Sequence, residues 1–210
     1  MRKIHIKIKL SLFLAIIFML LFVTKSNAAQ EFTELNNRCF YIKNAYTGHY
    51  LDVKDGIAQG GTNVQQCQYN GSYAQKWYMV HLGNGEYMIC SDVGSTAEGE
   101  SVRLNYSLDV SNGVNANGTQ IHLWNSVMNG ITQTFSFTKT LNNTYIIWTK
   151  ASNYTKVASL SDNLCSDGIN VHQWEYSNHS HDQWIFEPVY KFENMGVAYA
   201  KANYNRKVDA

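Results

Sequence analysis

Three stretches of this chain lie over one another with their landmarks in step: "LDVKDGIAQGGTNVQQCQYNGSYAQKWYM" from Leu51, "LDVSNGVNANGTQIHLWNSVMNGITQTFSF" from Leu108 and "ASLSDNLCSDGINVHQWEYSNHSHDQWIF" from Ala158. In each, a glycine stands nine residues after a fixed position: Asp52 to Gly61, Asp109 to Gly118, Ser159 to Gly168. An apolar residue follows three later (Val64, Ile121, Val171), and an aromatic (Trp77, Phe135, Trp184) closes each unit 16 or 17 residues after the glycine. Agreement at three independent landmarks marks an internal repeat, which constrains the fold more than any local propensity. A further strand-like run precedes each unit, "CFYIKN" at Cys39, "EYMICS" at Glu86 and "TYIIWTK" at Thr144. Four strands per unit predict 12 strands between residues 38 and 188. Closing them into a three-fold barrel with a hairpin cap removes the long open edges that make antiparallel sheets prone to aggregate. Ile42, Ile89 and Ile147 are expected to fill its interior.

The rest of the sequence agrees with an all-β reading. Short Tyr/Ile/Val-rich runs alternate with turn sequences such as "YTGH", "LGNGE", "NANG" and "LNNT", and the chain has a single proline, Pro188. At the N-terminus, "MRKIHIKIK" precedes a mostly apolar run from Leu10 to Val23 and then small residues at Ser26 and Ala28. That order is the pattern of a secretory signal peptide, and the run is short for a membrane span. Residues 1–28 are therefore read as a signal, residues 29–37 as a linker, 38–188 as the repeat domain and 189–210 as a tail or the start of a further domain. The expected location is extracellular, with no membrane association once the signal is removed. Removing it takes five of the 17 basic residues and none of the 16 acidic ones, leaving 12 against 16. So weak and dispersed a charge argues against nucleic acid as a partner. Cys39, Cys67, Cys90 and Cys165 lack C-x-x-C or zinc-site spacing; they can be buried thiols or form a bridge, and the sequence does not choose a pairing.

The segments "G-T-N-V-Q … A-Q-K-W", "G-T-Q-I-H-L-W … T-Q-T-F" and "G-I-N-V-H-Q-W … D-Q-W" resemble the Q-x-W repeats of ricin B-type β-trefoil lectins. The resemblance implies a β-trefoil with up to three shallow sugar pockets, no catalysis and no cofactor, and a carbohydrate partner, either a galactose-type sugar or a polysaccharide. In that family each pocket uses an aspartate just after the second strand, a polar residue and an aromatic on the third, and polar groups near the Q-x-W. The chemistry suits a sugar: a carboxylate accepts from neighbouring hydroxyls, amides or imidazoles add hydrogen bonds, and an aromatic face covers the C–H patch.

Carried onto this chain, the resemblance favours the second repeat, with Asp109, His122, Trp124 and Asn125. The first offers Asp52 and Gln65, but Cys67 stands at the aromatic position; Tyr69 shares its face if the strand continues. The third has His172 and Trp174, with Ser159 in place of the aspartate, so its pocket is expected to be weak or dead. Gln75, Gln133 and the closing aromatics are assigned to structure. Asp52 and Asp109 can alternatively be turn residues ahead of "KDG" and "SNG", and Trp124 and Trp174 can be core. Alternation is read here as pointing Ile121 inward and Leu123 outward, so that Trp124 joins His122 only across a bulge.

No metalloprotease, hydrolase-elbow or phosphate-loop motif is present. "HSH" at His179 and His181, beside Asp182, can be a surface metal site but reads better as a polar loop. The tail from Lys191 can form a short helix around Val197 to Lys201, and "YNR" at Tyr204 resembles the opening of an amidase domain. A targeting domain of a hydrolase and a protein-binding trefoil are the rival readings.

Overall fold

The computed structural model describes residues 30–98 and 101–189; the expected signal peptide and the tail helix lie outside them. Among the described residues fourteen strands are formed: β1 (Cys39–Asn44), β2 (Tyr50–Val53), β3 (Val64–Cys67), β4 (Lys76–Gly83), β5 (Glu86–Ser91), β6 (Thr96–Glu98), β7 (Ser101–Arg103), β8 (Tyr106–Val110), β9 (Thr119–Asn125), β10 (Phe135–Lys139), β11 (Tyr145–Thr149), β12 (Lys156–Leu160), β13 (Val171–Glu175) and β14 (Gln183–Pro188). Twelve make one sheet, as the repeat predicts; β6 and β7 form a separate hairpin inserted into the second repeat.

The pairings close on themselves. β1 pairs with β4, β4 with β5, β5 with β10, β10 with β11, β11 with β14, and β14 returns to β1. This is a six-stranded antiparallel barrel without an edge. The remaining strands pair as three hairpins, β2–β3, β8–β9 and β12–β13, which meet in a ring through bridges Asn63 to His122, Gln120 to His172 and Gln65 to Asn170. A barrel capped by three such hairpins is a β-trefoil.

The repeated glycines explain how the hairpins interlock. Gly61, Gly118 and Gly168 have φ of 89°, 82° and 85°, a region in which a Cβ is strained. Each donates its N–H to the next hairpin, to the carbonyls of Leu123, Gln173 and Gln66. Inside, Ile42, Ile89 and Ile147 are buried as expected, with Trp77, Phe135 and Trp184 fully enclosed. The two indoles also donate Nε1–H to the carbonyls of Leu51 and Ala158, at 3.0 and 2.9 Å, which satisfies their polar atoms in the core.

Residues 30–37, expected as a linker, contribute to this core: Phe32 and Leu35 are buried in it, and the Phe32 N–H donates to the Tyr87 hydroxyl at 3.0 Å. All four cysteines are free thiols. Cys39 and Cys90 flank Tyr78 on adjacent strands in a smaller apolar cluster, and burial pushes both thiols up to about 12.

Candidate functional site

The outer face of each hairpin carries the residues singled out in the sequence. Alternation along β9 buries Ile121 and Leu123 together and turns His122 and Trp124 outward. The expected bulge is absent, since β8 and β9 stay in continuous register from Tyr106 opposite Asn125 to Val110 opposite Ile121. Residues two apart share a face, which corrects the expectation that Ile121 and Leu123 point in opposite directions. Asp52 and Asp109 lie within β2 and β8 rather than after them, opposite Gln65 and His122. The turns that follow are made instead by Asp55 and Asn112, at φ 58° and 53°.

In the second repeat, Asp109 is almost fully buried and both its oxygens are engaged. Oδ1 lies 3.3 Å from His122 Nε2, and Oδ2 accepts from the Thr132 hydroxyl at 2.7 Å. Burial works to raise its pKa, but His122, Thr132 and Gln133 together outweigh it, and the carboxyl ends below its ordinary value. The His122 and Trp124 rings lie nearly parallel, 5.4 Å apart at 15°. Trp124 is 47% exposed, not core, and its ring runs along Gly60, where a Cβ would come within 3.2 Å of Cε3. Asn125 falls on the other parity of the strand; its carbonyl receives the Gln133 amide at 2.9 Å, and the structure does not bring its side chain to Asp109.

In the first repeat, Gln65 Nε2 donates to Asp52 Oδ1 at 3.3 Å. Burial here prevails over the amides of Gln65 and Gln75 and raises the Asp52 carboxyl. The strand ends at Cys67, so Tyr69 does not join the pocket; it packs against Tyr41 and Tyr50 with ring centroids 5.1 Å apart in both pairs. The aromatic that borders the cavity beside Asp52 and Gln65 is Tyr73, whose ring lies 4.6 Å from the Lys76 ammonium. Sequence reasoning passes over Tyr73 because it precedes the closing segment "AQKW" rather than standing on the third strand.

The third repeat repeats the stack, His172 on Trp174 at 5.0 Å and 19°, beside a cavity of about 400 Å³ that Ser159 and His181 also line. Ser159 is buried and donates to its neighbour's carbonyl, that of Leu160, at 3.3 Å, so no carboxylate stands where Asp52 and Asp109 do. Burial lowers the His172 pKa. Thr132 and His181 occupy one position, directly before Gln133 and Asp182, and both meet their pockets; that alignment was the available signal for them. His179 and His181 stack at 5.4 Å around the Ser177 hydroxyl, and among the described residues no group of three metal-ligating side chains is assembled.

Comparison with known proteins agrees with this geometry. The family model described as a ricin-type beta-trefoil lectin domain-like domain matches residues 27–124. No curated protein matches the chain at a significant level. Among solved structures, the designed three-fold symmetric protein ThreeFoil is 25% identical over 72% of this chain and 99% of its own, with a TM-score of 0.63. An exo-β-1,3-galactanase from Clostridium thermocellum is also 25% identical over 72% of this chain, but only 30% of its own length, with a TM-score of 0.62. The Macrolepiota procera ricin B-like lectin, solved with lactose, is 16% identical over 73% of this chain and 97% of its own, with a TM-score of 0.57. The family match covers residues 27–124, just under half of the chain, and the second half completes the β-trefoil that this family model describes.

Proposed function

We propose that the chain is a non-catalytic carbohydrate-binding module that acts outside the cell, recognising neutral glycans or polysaccharide through the outer faces of its hairpins. The observation that carries this reading is the recurrence of a buried carboxylate beside a side-chain nitrogen at an open surface: Asp52 with Gln65 and Asp109 with His122, each pair at 3.3 Å. A carboxylate held in place by such a partner keeps lone pairs for sugar hydroxyls, and charge-assisted hydrogen bonds are the stronger kind. Trp124 adds an exposed ring beside Asp109, suited to the apolar side of a hexose.

The test is a glycan array probed with the intact protein and with Asp52→Ala, Asp109→Ala and the double variant. Each single variant is expected to lose part of the signal and the double variant nearly all of it. Glycans retained by a folded double variant would sink the reading. A second reading, a domain that targets an attached hydrolase to its polysaccharide, is favoured by the galactanase, in which a comparable domain spans 30% of the chain. The gene sequence downstream of Ala210 decides it, through the presence or absence of an in-frame catalytic domain.

A further inference from the structure

The first repeat differs from the others in what stands opposite its pocket. β5 and β8 are joined by residues 92–105, where residues 45–49 and 150–155 make the corresponding connection in the first and third repeats. The start of this longer connection comes down on the first repeat. Gly94 has a φ of 68°, and a Cβ there would lie 2.8 Å from the Cβ of Ala58 and 3.0 Å from the Tyr106 ring. Only a glycine permits that approach. It encloses a cleft of about 580 Å³ between Asp52 and Gln65 on one side and Asp92, Gly94 and Ser95 on the other. The size falls in the ordinary range of small-molecule sites.

Asp92 is built into this second wall. It is 6% exposed, its Oδ1 accepts from the Ser95 hydroxyl at 2.7 Å, and its buried Oδ2 has no hydrogen-bond partner. Burial raises its carboxyl, the Ser95 hydroxyl and the Lys76 charge offsetting part of the effect. A buried carboxylate oxygen without a donor is costly, and turning the side chain so that this oxygen meets a ligand hydroxyl in the cleft would relieve the cost.

We propose that the first repeat's pocket is a two-walled cleft in which Asp92, on the inserted connection, provides a second acceptor opposite Asp52 and so holds a neutral saccharide of at least two units. This rests on the carbohydrate-binding reading above. Asp52, Asp55 and Asp92 all border the cleft, so a uronic or sialic acid unit would meet like charge there, whereas an uncharged unit brings hydroxyl donors.

Calorimetry of the full chain against an array-selected series of neutral linear saccharides of one to four units tests this, with wild type, Asp52→Ala and Asp92→Asn compared. Wild type should bind two-unit and longer saccharides more tightly than the single unit. Asp92→Asn should weaken the longer saccharides about tenfold while leaving the single unit unchanged, as expected for the loss of one charge-assisted hydrogen bond. If Asp92→Asn does not fold, Ser95→Ala, which keeps the carboxylate but releases Oδ1, should weaken the longer saccharides in the same direction. Undiminished binding of the longer saccharides by the folded variant, or tighter binding of acidic than of neutral ones, overturns the proposal. Binding that depends on Asp52 but not on Asp92 overturns this inference alone; no glycan bound by wild type overturns the carbohydrate-binding reading with it.

Discussion

Asp52 and Asp109 occupy the same position in successive repeats, yet their protonation responds to the fold in opposite ways. Asp109, gripped by His122 and Thr132, has its folded-state pKa below the ordinary 3.8. Its contribution to stability is present above that value and is lost as the pH falls through the lower folded one. Asp52 has only amides to offset burial, and its folded-state pKa is raised. It takes up a proton in the fold before the unfolded chain would, so it costs stability at neutral pH, and the cost fades on acidification. Because the ionised carboxylate is the acceptor proposed for sugar, the two pockets should fail at different pH. In Asp109→Ala, which leaves the first repeat, glycan affinity should fall earlier on acidification from about pH 5 to 3 than in Asp52→Ala, which leaves the second. Coincident titrations would show that the carboxylates do not govern binding. At this scale the family resemblance groups Asp52 with Gln65 and Asp109 with His122, and the structure sets each pair on facing positions of adjacent strands. The sequence reading misplaces Tyr69, because where β3 ends depends on the chain leaving the sheet at Gln68, whose N–H is taken by the Asp167 carboxylate at 2.6 Å. It passes over Thr132, whose mark in the sequence is only its place directly before Gln133, matched by His181 before Asp182.

At the scale of the element, the closing triplet shows how one side chain ties a loop to its strand. Gln75 accepts the Asn70 N–H at 3.0 Å and donates to the Gln68 carbonyl at 2.8 Å; Gln133 does the same with Val127 and Asn125, at 2.8 and 2.9 Å. The third repeat has Asp182 instead. Its Oδ2 accepts from the Ser177 N–H and hydroxyl, at 2.8 and 2.6 Å, but a carboxylate cannot donate to the strand carbonyl. Its Oδ1 is buried without a hydrogen bond, 3.3 Å from His181 Nε2. Asp182→Gln should therefore restore the missing donor and remove a buried unpaired oxygen, raising stability by about 1 kcal/mol after the contact with His181 is lost. Urea unfolding at neutral pH measures it; an unchanged or lower midpoint would show that Asp182 and His181 already stabilise the loop as well as the amide does. The sequence marks "DQW" as a variant triplet without indicating this consequence, since burial is what makes the substitution matter. The hairpin of β6 and β7 escapes a sequence reading too, because its strands are three residues each and carry no alternation to read.

At the scale of the whole molecule, the repeat makes the trefoil legible in the sequence itself: three glycines, three apolar positions and three closing aromatics fix the hairpins and the plug of the barrel. The same symmetry sets the candidate pockets on three separate hairpins facing outward, so one ligand chain long enough to reach two of them can be held twice. A second contact made within the same complex proceeds at an effective concentration set by the connecting chain, and gains affinity without any new surface. Soluble short saccharides and a surface-bound polysaccharide should therefore report the pockets differently. For a short saccharide, Asp52→Ala or Asp109→Ala should lower the number of sites and leave the affinity of the remaining pocket unchanged. On immobilised polysaccharide either substitution should weaken retention roughly a hundredfold, mostly through faster dissociation, because the tether between two sites is lost. Calorimetric stoichiometry set beside surface plasmon resonance separates the two behaviours. If each variant loses only its share of sites on the polymer as well, the pockets act one at a time, and the three-fold arrangement serves the fold rather than the grip.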